Sequence, residues 1–448
     1  MAVVAEKASL DERALEALVT AALAQARREG VDQAEVAASH DLGLSATARL
    51  GEVENLEFTN DRGLGITVYR DQRKGSASTS DLSAGAIAET VRKACTFATL
   101  TARDEYAGLA DAGLMCTEIP DLDLDHPWPI ESRVAIDMAI ACEQAALGFD
   151  RRITNSEGAT VATNRSLRAY GNTHGFVGSY ARTGHSISCA VLASADGEMQ
   201  RDYHYTAARD ATELDDAAAI GEGAARRALG RLGARKIATT RAPVLFRPEL
   251  ARGFIGHAIA AISGGAQYRK ASFLLGAAGE QIFPEFLRIE ERPHLPKGMA
   301  SAPYDAEGVA TFDRDIVAGG VLQGYLLSSY SARRLGLETT ANAGGAQNLV
   351  VPGTGGDLES LAREMGTGLI VDELIGQGVN PVTGDYSRGA VGQWVENGSI
   401  AYPVHEVTIA GNLRELYRRI AALGDDLDLR GGIRCGALLV EEMTVAGA

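Results

Sequence analysis

"GDYSRGAVGQWVENGSIAYPVHEVTIAGN", residues 384–412, divides at Asn397-Gly398 into two runs rich in β-branched and aromatic residues. Asn-Gly tolerates positive φ at both centres of a two-residue turn, so the stretch predicts an antiparallel hairpin. Ala318-Gly319-Gly320, within "GVATFDRDIVAGGVLQGYLLSSYS" (308–331), gives a less specific signal of the same kind. Asn412 and Glu415 have capping-box spacing and open a helix through Leu413, Leu416, Tyr417 and Ile420. The 51 glycines among 448 residues exceed the average usage of about 7% and fit a fold with many tight turns and bulges. This half reads as a curved, barrel-like β domain carrying a few helices.

Upstream, the polar stretch "GARKIATTRAP" (233–243) predicts a boundary near residue 237, dividing the chain into domains 1–236 and 237–448. Two or three domains are what this length favours. Ser9 and Glu12 have capping-box spacing ahead of an apolar stripe, Leu15, Leu18, Val19 and Ala22, with Gly30 as a stop. From Val36 to Ser80 short runs such as "GITVYRD" and "KGSASTS", broken at Asn60-Asp61 and at glycines, predict antiparallel strands joined by tight turns. Helical stripes follow at Ile87, Val91, Ala94, Cys95 and Ala98, and at Val134, Met138, Ala141, Cys142 and Ala145. Between them "DLDLDHPWPIE" marks a surface connection. Strand texture returns from Ile153 to Thr206, and Leu214–Leu232 is Ala-rich and helical. The first domain is therefore α+β, an antiparallel sheet with flanking helices.

Composition narrows the functional classes. Hydrophobic residues make up 46% and charged ones 23%, as in soluble globular proteins. Forty-three basic against 59 acidic residues leave a formal charge of −16, which repels a phosphate backbone and excludes direct nucleic-acid binding as the leading reading. No apolar run is long enough to span a bilayer, and "MAVVAEKASLDERALEALV" lacks the pattern of a secretion signal. The five cysteines (Cys95, Cys116, Cys142, Cys189, Cys435) are odd in number and scattered without a C-x-x-C pair, so a reducing cytoplasm is expected.

Chemistry is sparse. "FRPELARGFIGHAIAAISGG" (246–265) reads as a helix with a buried arc of Leu250, Phe254, Ala258, Ile259 and Ile262, and His257 at its edge near Gly253 and Gly256. A helical zinc hydrolase needs a second histidine about one turn away and a glutamate to activate water. Arg252, Gly253, Ala261 and Ile262 supply neither. His405-Glu406 begins like a metalloprotease signature but lies in a strand-like run without a second histidine, and "GTGGD" (353–357) lacks the lysine of a phosphate loop and reads as a turn. His174, His185 and His204 lie on neighbouring candidate strands and offer an alternative metal group, although their spacing matches no compact ligand pattern. "TGDYSRG" gathers Asp385, Tyr386, Ser387 and Arg388 on an expected loop where a peptide or partner could dock.

"GQGVNPVTGDYSRGAVGQWVENGSIAYPVHEVTIAGNL" (376–413), "GVLQGYLLSSYSARRLGLETTANAGG" (320–345), "GHAIAAISGGAQYRKASFL" (256–274) and "GLGITVYRDQRKGSASTSDLS" (63–83) together resemble the TldD/PmbA family, long labelled modulators of DNA gyrase, in its PmbA (TldE) branch. The resemblance covers nearly the whole chain. It implies a cytosolic two-chain zinc metalloprotease acting on short or unfolded peptides, whose TldD branch binds zinc through an H-E-x-x-x-H helix and a cysteine near the carboxyl terminus. Placed on this chain, the two histidine positions fall on Ile255 and Ala260 and the glutamate on Gly256, so all three are replaced; Cys435, in "GIRCGALLVEEM", falls near the cysteine. What the resemblance implies is a subunit without its own zinc, the metal residing in a TldD-type partner. Twofold association is the commonest oligomer, so a homodimer is expected when that partner is absent. Two further readings stand beside it: a binding protein acting on DNA gyrase or a toxin–antitoxin system, and an autonomous hydrolase using the group of His174, His185 and His204.

Overall fold

The structure, a computed structural model, describes residues 11–447. Ser9, half of the expected first capping box, lies outside them; within them the cap of the first helix is Asp11, whose carboxylate accepts the Ala14 N–H at 2.7 Å. The first half runs α1 (Glu12–Arg28), β1 (Gln33–Arg49), β2 (Glu52–Arg70), β3 (Arg73–Thr79), α2 (Ala84–Leu100), α3 (Ser132–Phe149), β4 (Ile153–Asn172), β5 (Val177–Ala195), β6 (Glu198–Ala208) and α4 (Ala217–Leu229). Its strands form one antiparallel six-stranded sheet in the order β3-β2-β1-β4-β5-β6.

Alternation along these strands gives the sheet two unlike faces. Val36 and Ala38 of β1, Ile66 and Val68 of β2, and Leu167 and Ala169 of β4 pack under Leu15 and Val19 of α1 and Ile87 and Val91 of α2. Farther along, Leu44, Val161, Ile187 and Val191 pack under Ala135 and Ala139 of α3 and Ile220 and Ala224 of α4. The intervening residues turn to the other face, where Ser39, Arg168 and Tyr180 stand side by side across β1, β4 and β5.

The expected break at Asn60-Asp61 is absent. β2 passes straight through it, and the His40 ring nitrogen lies 2.9 Å from Asn60 Oδ1 across the strand pair. The reversal comes instead at Leu50-Gly51, with φ of +52° and +79°. A leucine there is strained, and Glu143 of α3 holds it: the fully buried carboxylate accepts the N–H groups of Leu50 and Gly51, each at 2.9 Å.

The second half runs β7 (Thr240–Phe246), α5 (Pro248–Ala261), α6 (Gly264–Tyr268), β8 (Ile289–Glu291), β9 (Arg314–Ala318), β10 (Val321–Leu322), α7 (Ser329–Leu335), β11 (Leu349–Val351), α8 (Leu358–Met365), β12 (Gly368–Ile375), β13 (Asp385–Glu396), β14 (Ser399–Asn412), α9 (Leu413–Arg418), β15 (Ile420–Leu423), β16 (Ile433–Cys435) and β17 (Leu438–Ala446). β14-β13-β12-β7-β17 is closed by pairing of β14 with β17, a five-stranded barrel with β15 appended. Only the β7–β12 pair in it is parallel. A smaller sheet, β10-β9-β8-β11-β16, lies beside it. Asn397 and Gly398 make the β13–β14 turn at φ of +52° and +75°, and Gly319 and Gly320 make the β9–β10 turn. Val244 and Phe246 join α5 in the main core while Leu245 faces Leu361 and Ala362 of α8, which is why β7 reads as an unbroken apolar run.

Removing the Glu143 carboxylate should leave two turn N–H groups without a partner. Glu143→Ala is expected to lower unfolding stability by roughly 2 kcal/mol, with Glu143→Gln intermediate because an amide offers one acceptor oxygen. Urea unfolding measures this; an unchanged midpoint in Glu143→Ala would remove the clamp from the account.

Candidate functional site

α5 begins with Pro248 and packs Ala251, Phe254, Ile255, Ala258 and Ala261 inward. Leu250 and Ile259, at the edges of the expected arc, are only partly buried, whereas Ile255 is 0% exposed. Gly256 is half-buried, with Ile433 the nearest atom a Cβ there would meet, at 3.7 Å, and Ala260 is exposed. Five residues on a helix turn through roughly 140°, so Ile255 and Ala260 look into different surroundings.

His257 is half-buried, its ring 6.0 Å from that of Tyr386. Burial, then the neighbouring Arg388 guanidinium, holds its imidazole below the ordinary value. The segment expected as a docking loop opens β13, because Asp385 to Arg388 continue the ladder against Asn412 to Ile409. Alternation splits the four residues: Asp385 and Ser387 are exposed, whereas Tyr386 is buried and Arg388 partly so, beside His257. Asp385 is held by Thr383 Oγ1 at 2.7 Å and Asn412 Nδ2 at 3.3 Å, bonds that keep its carboxyl below the usual range. Tyr386 is pushed up to about 12 by burial, with the neighbouring Arg388 guanidinium pulling the other way. His257, Tyr386 and Arg388 therefore form a cluster with one cation and no carboxylate.

Cys435 on β16 is fully buried, and burial pushes its thiol up to about 12. Such a thiol is neither a ready ligand nor a nucleophile. The first-half histidines do not converge. His174 is in the β4–β5 turn, and His185 pairs across from Ala208, four residues along β6 from His204, or roughly 13 Å at strand rise. Both ring nitrogens of His185 are engaged, with Thr163 Oγ1 at 2.8 Å and the His126 carbonyl at 2.9 Å. His204 packs against Gly223, where a Cβ would lie 2.5 Å from its ring. His405 and Glu406 sit on β14, where Glu406 pairs with Lys236 at 2.5 Å.

A cavity of about 1080 Å³ lies between the polar face of the first sheet and loops 299–306 and 343–347. Arg168, Tyr180, Arg182 and Tyr304 line it. A second cavity, of about 710 Å³, adjoins the start of α5, the end of β6 and residues 426–434. Arg209 lines the second, and its guanidinium bridges the halves by donating to the carbonyls of Thr183 and Met299 at 2.6 Å each. Sequence reasoning missed these residues, because they come from separate stretches: β4, β5, the residue after β6 and loop 299–306. The one signal was the regular alternation of "VGSYARTGHSISCAVLASA", which marks a two-faced strand but not what faces it.

Residues 34–98 match domain 1, residues 125–232 the central domain and residues 239–447 the C-terminal domain of the PmbA/TldA metallopeptidases. A protein of Escherichia coli O157:H7 named metalloprotease PmbA is 50% identical over 433 residues, covering 97% of this chain and 96% of its own. A metalloprotease PmbA homolog of Haemophilus influenzae is 47% identical, covering 97% of each chain. Among solved structures, a Bacteroides thetaiotaomicron protein described as a candidate modulator of DNA gyrase superposes with a TM-score of 0.93 at 28% identity, covering 98% of this chain and 100% of its own. TldE from Thermococcus kodakarensis shares the fold, with a TM-score of 0.85 at 20% identity over 96% of this chain and 100% of its own.

A metal is implied by that family description, and the residues of α5 do not fit one. Isoleucine, glycine and alanine carry no donor atom at 255, 256 and 260, and Cys435 is a buried, protonated thiol. Among the described residues no three His, Cys, Asp or Glu side chains gather where an ion could be held.

Two outcomes are expected in solution. With all five cysteines buried, a thiol reagent at pH 8 should label fewer than one per native chain and all five after denaturation; rapid native labelling of Cys435 would show that β16 opens. Burial holds His185, His204 and His257 below 6.5. The unfolded chain then takes up protons that the folded chain resists, so stability should be complete above about 6.5 and fall as pH drops below it. His257→Gln should shallow that fall in thermal melts from pH 7 to 5, and an unaltered slope would show that His257 does not contribute.

Proposed function

The chain belongs to the PmbA/TldA metallopeptidase family, and from that premise we propose that it is the PmbA/TldE-type subunit of a two-chain zinc peptidase, handling short or unfolded peptides while a TldD-type partner supplies the metal. The observation that carries this reading is the absence of donor atoms at Ile255, Gly256 and Ala260 of α5, in a chain that keeps a large interdomain cavity. A subunit of this kind contributes by confining and orienting an extended peptide, so that the partner's metal meets a backbone already ordered.

Strand edges support the same reading. β3 pairs with β2 from Leu64 to Arg70, so residues 52–63 of β2 have β1 alone as their neighbour. Val53, Leu56 and Phe58 on that segment are exposed. An unpaired edge with apolar side chains accepts an added strand, from a peptide or from a partner chain, including a second copy when the TldD-type chain is absent. Five buried free thiols suit a cytoplasmic setting, and among the described residues no helix is long and apolar enough to cross a membrane.

The test is zinc content with peptidase activity, for this chain alone and mixed with a TldD-type chain that keeps H-E-x-x-x-H. Zinc and activity are expected in the mixture only. Stoichiometric zinc and peptide cleavage by the lone chain would overturn the proposal.

A further inference from the structure

We infer that the cavity between the first sheet and loops 299–306 and 343–347 is an anion-selective peptide site, in which Arg182, backed by Arg209, receives a carboxylate of an extended peptide. This rests on the reading of the chain as a peptide-handling subunit and adds the chemical class of peptide.

The floor is built from absence. Gly65 faces the cavity with nothing within 4 Å of the place a Cβ would take, and Gly63 meets only Ser39 Oγ, at 3.8 Å. Neither has a positive φ, so the backbone does not demand glycine at either position. What these positions provide is open space directly over the strands, where an extended chain can lie. Tyr180 and Tyr304 bound it, ring edge to face at 5.6 Å, and the buried Tyr304 hydroxyl has no partner.

Charge supplies the selectivity. Arg168 is neutralised by Asp41 at 3.1 Å. Arg182 has no ion pair among the described residues. Behind Arg182 lies Arg209, 6% exposed, whose donors reach the carbonyls of Thr183, Gly298 and Met299 and no carboxylate. Burial, with the neighbouring Arg182 adding to it, lowers the Arg209 guanidinium to about 10. The nearby acids are already engaged. Asp305 accepts the N–H groups of Glu307, Val309 and Ala343, and burial raises it to about 7. Glu35 accepts the hydroxyls of Tyr69 and Tyr170. In a chain of net charge −16, a cavity with uncompensated guanidinium groups is a local exception, and a carboxylate is the planar group their forked donors match.

The carboxylate can come from an acidic side chain or from the peptide's C-terminus, and the probes separate the two. Binding to the full-length chain is measured by calorimetry for three N-acetylated peptides of otherwise Ala, Gly and Ser: one with a central Glu and an amidated C-terminus, one with Gln in its place and amidated, and the Gln peptide as the free acid. At least one carboxylate peptide is expected to bind tenfold or more tighter than the Gln amide, and which one identifies the source. Arg182→Gln should bring the three within about twofold, Arg182→Lys should restore part of the difference, and Gly65→Phe, which fills open space, should abolish binding while leaving the melting temperature unchanged. Equal binding of all three peptides, or discrimination that survives Arg182→Gln, would overturn the charge assignment alone; binding unaffected by Gly65→Phe would overturn the location. No binding by any peptide would bring down the peptide-handling reading together with it.

Discussion

The pleat of the six-stranded sheet governs the molecule, because each strand commits one face to the helices and the other to the cavity. Val36, Ile66, Leu167 and their neighbours leave water on one side, each full burial contributing about 1.5–3 kcal/mol. Ser39, Arg168 and Arg182 occupy the alternate positions. A slip of one residue in register would exchange the two sets and drive guanidinium groups under α1 and α2. The apolar pattern that stabilises the sheet is thus the same pattern that fixes where the polar groups of the cavity stand.

Arginines then join the halves. Arg231 is 6% exposed and meets Asp202, 2% exposed, at 2.8 Å, while Arg227 connects Asp202 to Glu249 in the first turn of α5. Arg430 donates to the Tyr205 carbonyl at 2.9 Å and stacks over the Tyr205 ring, and Arg252 donates to the Tyr205 hydroxyl at 3.0 Å. Buried ion pairs add little net stability, since desolvation of each charge costs several kcal/mol. Their directional bonds instead set the position of the sheet relative to α5, and hence the width of the cavity between them.

Local signals were legible in the sequence where one residue type decides the backbone. Asn397-Gly398 made its turn, Asn412 capped its helix by accepting the Arg414 N–H, and the apolar stripe of α2 became a buried face, whereas α3 buries Ala135, Ala139, Cys142 and Ala146 and leaves Val134 and Ala141 of its expected stripe exposed. Reading failed where tertiary contact overrode composition. Asn60-Asp61 looks like a turn, yet it sits mid-strand because β1 offers an unbroken partner along that length. Leu50 has no turn propensity and turns because Glu143, 93 residues away, caps it. Asp385–Arg388 reads as a polar loop because only every second residue faces inward. The family could be read from long motifs, but the cavity could not, since Arg168, Tyr180, Arg182 and Tyr304 acquire a common purpose only when three segments, β4, β5 and loop 299–306, meet.

α5 shows how a helix of this family can keep its place without a set of metal donors. Its inward residues, Phe254, Ile255 and Ala258, belong to the main core; Phe254 stacks on Phe246 at 5.0 Å, and its carbonyl accepts the buried Tyr417 hydroxyl at 3.0 Å. Those contacts hold the barrel together whatever stands at Gly256 or Ala260, which lie outside the core. Packing thus falls on one set of residues of the helix and exposure on another. Changes at Gly256 or Ala260 therefore cost the fold little, whereas loss of the apolar arc would open the barrel, because Phe254, Ile255 and Ala258 pack into its core.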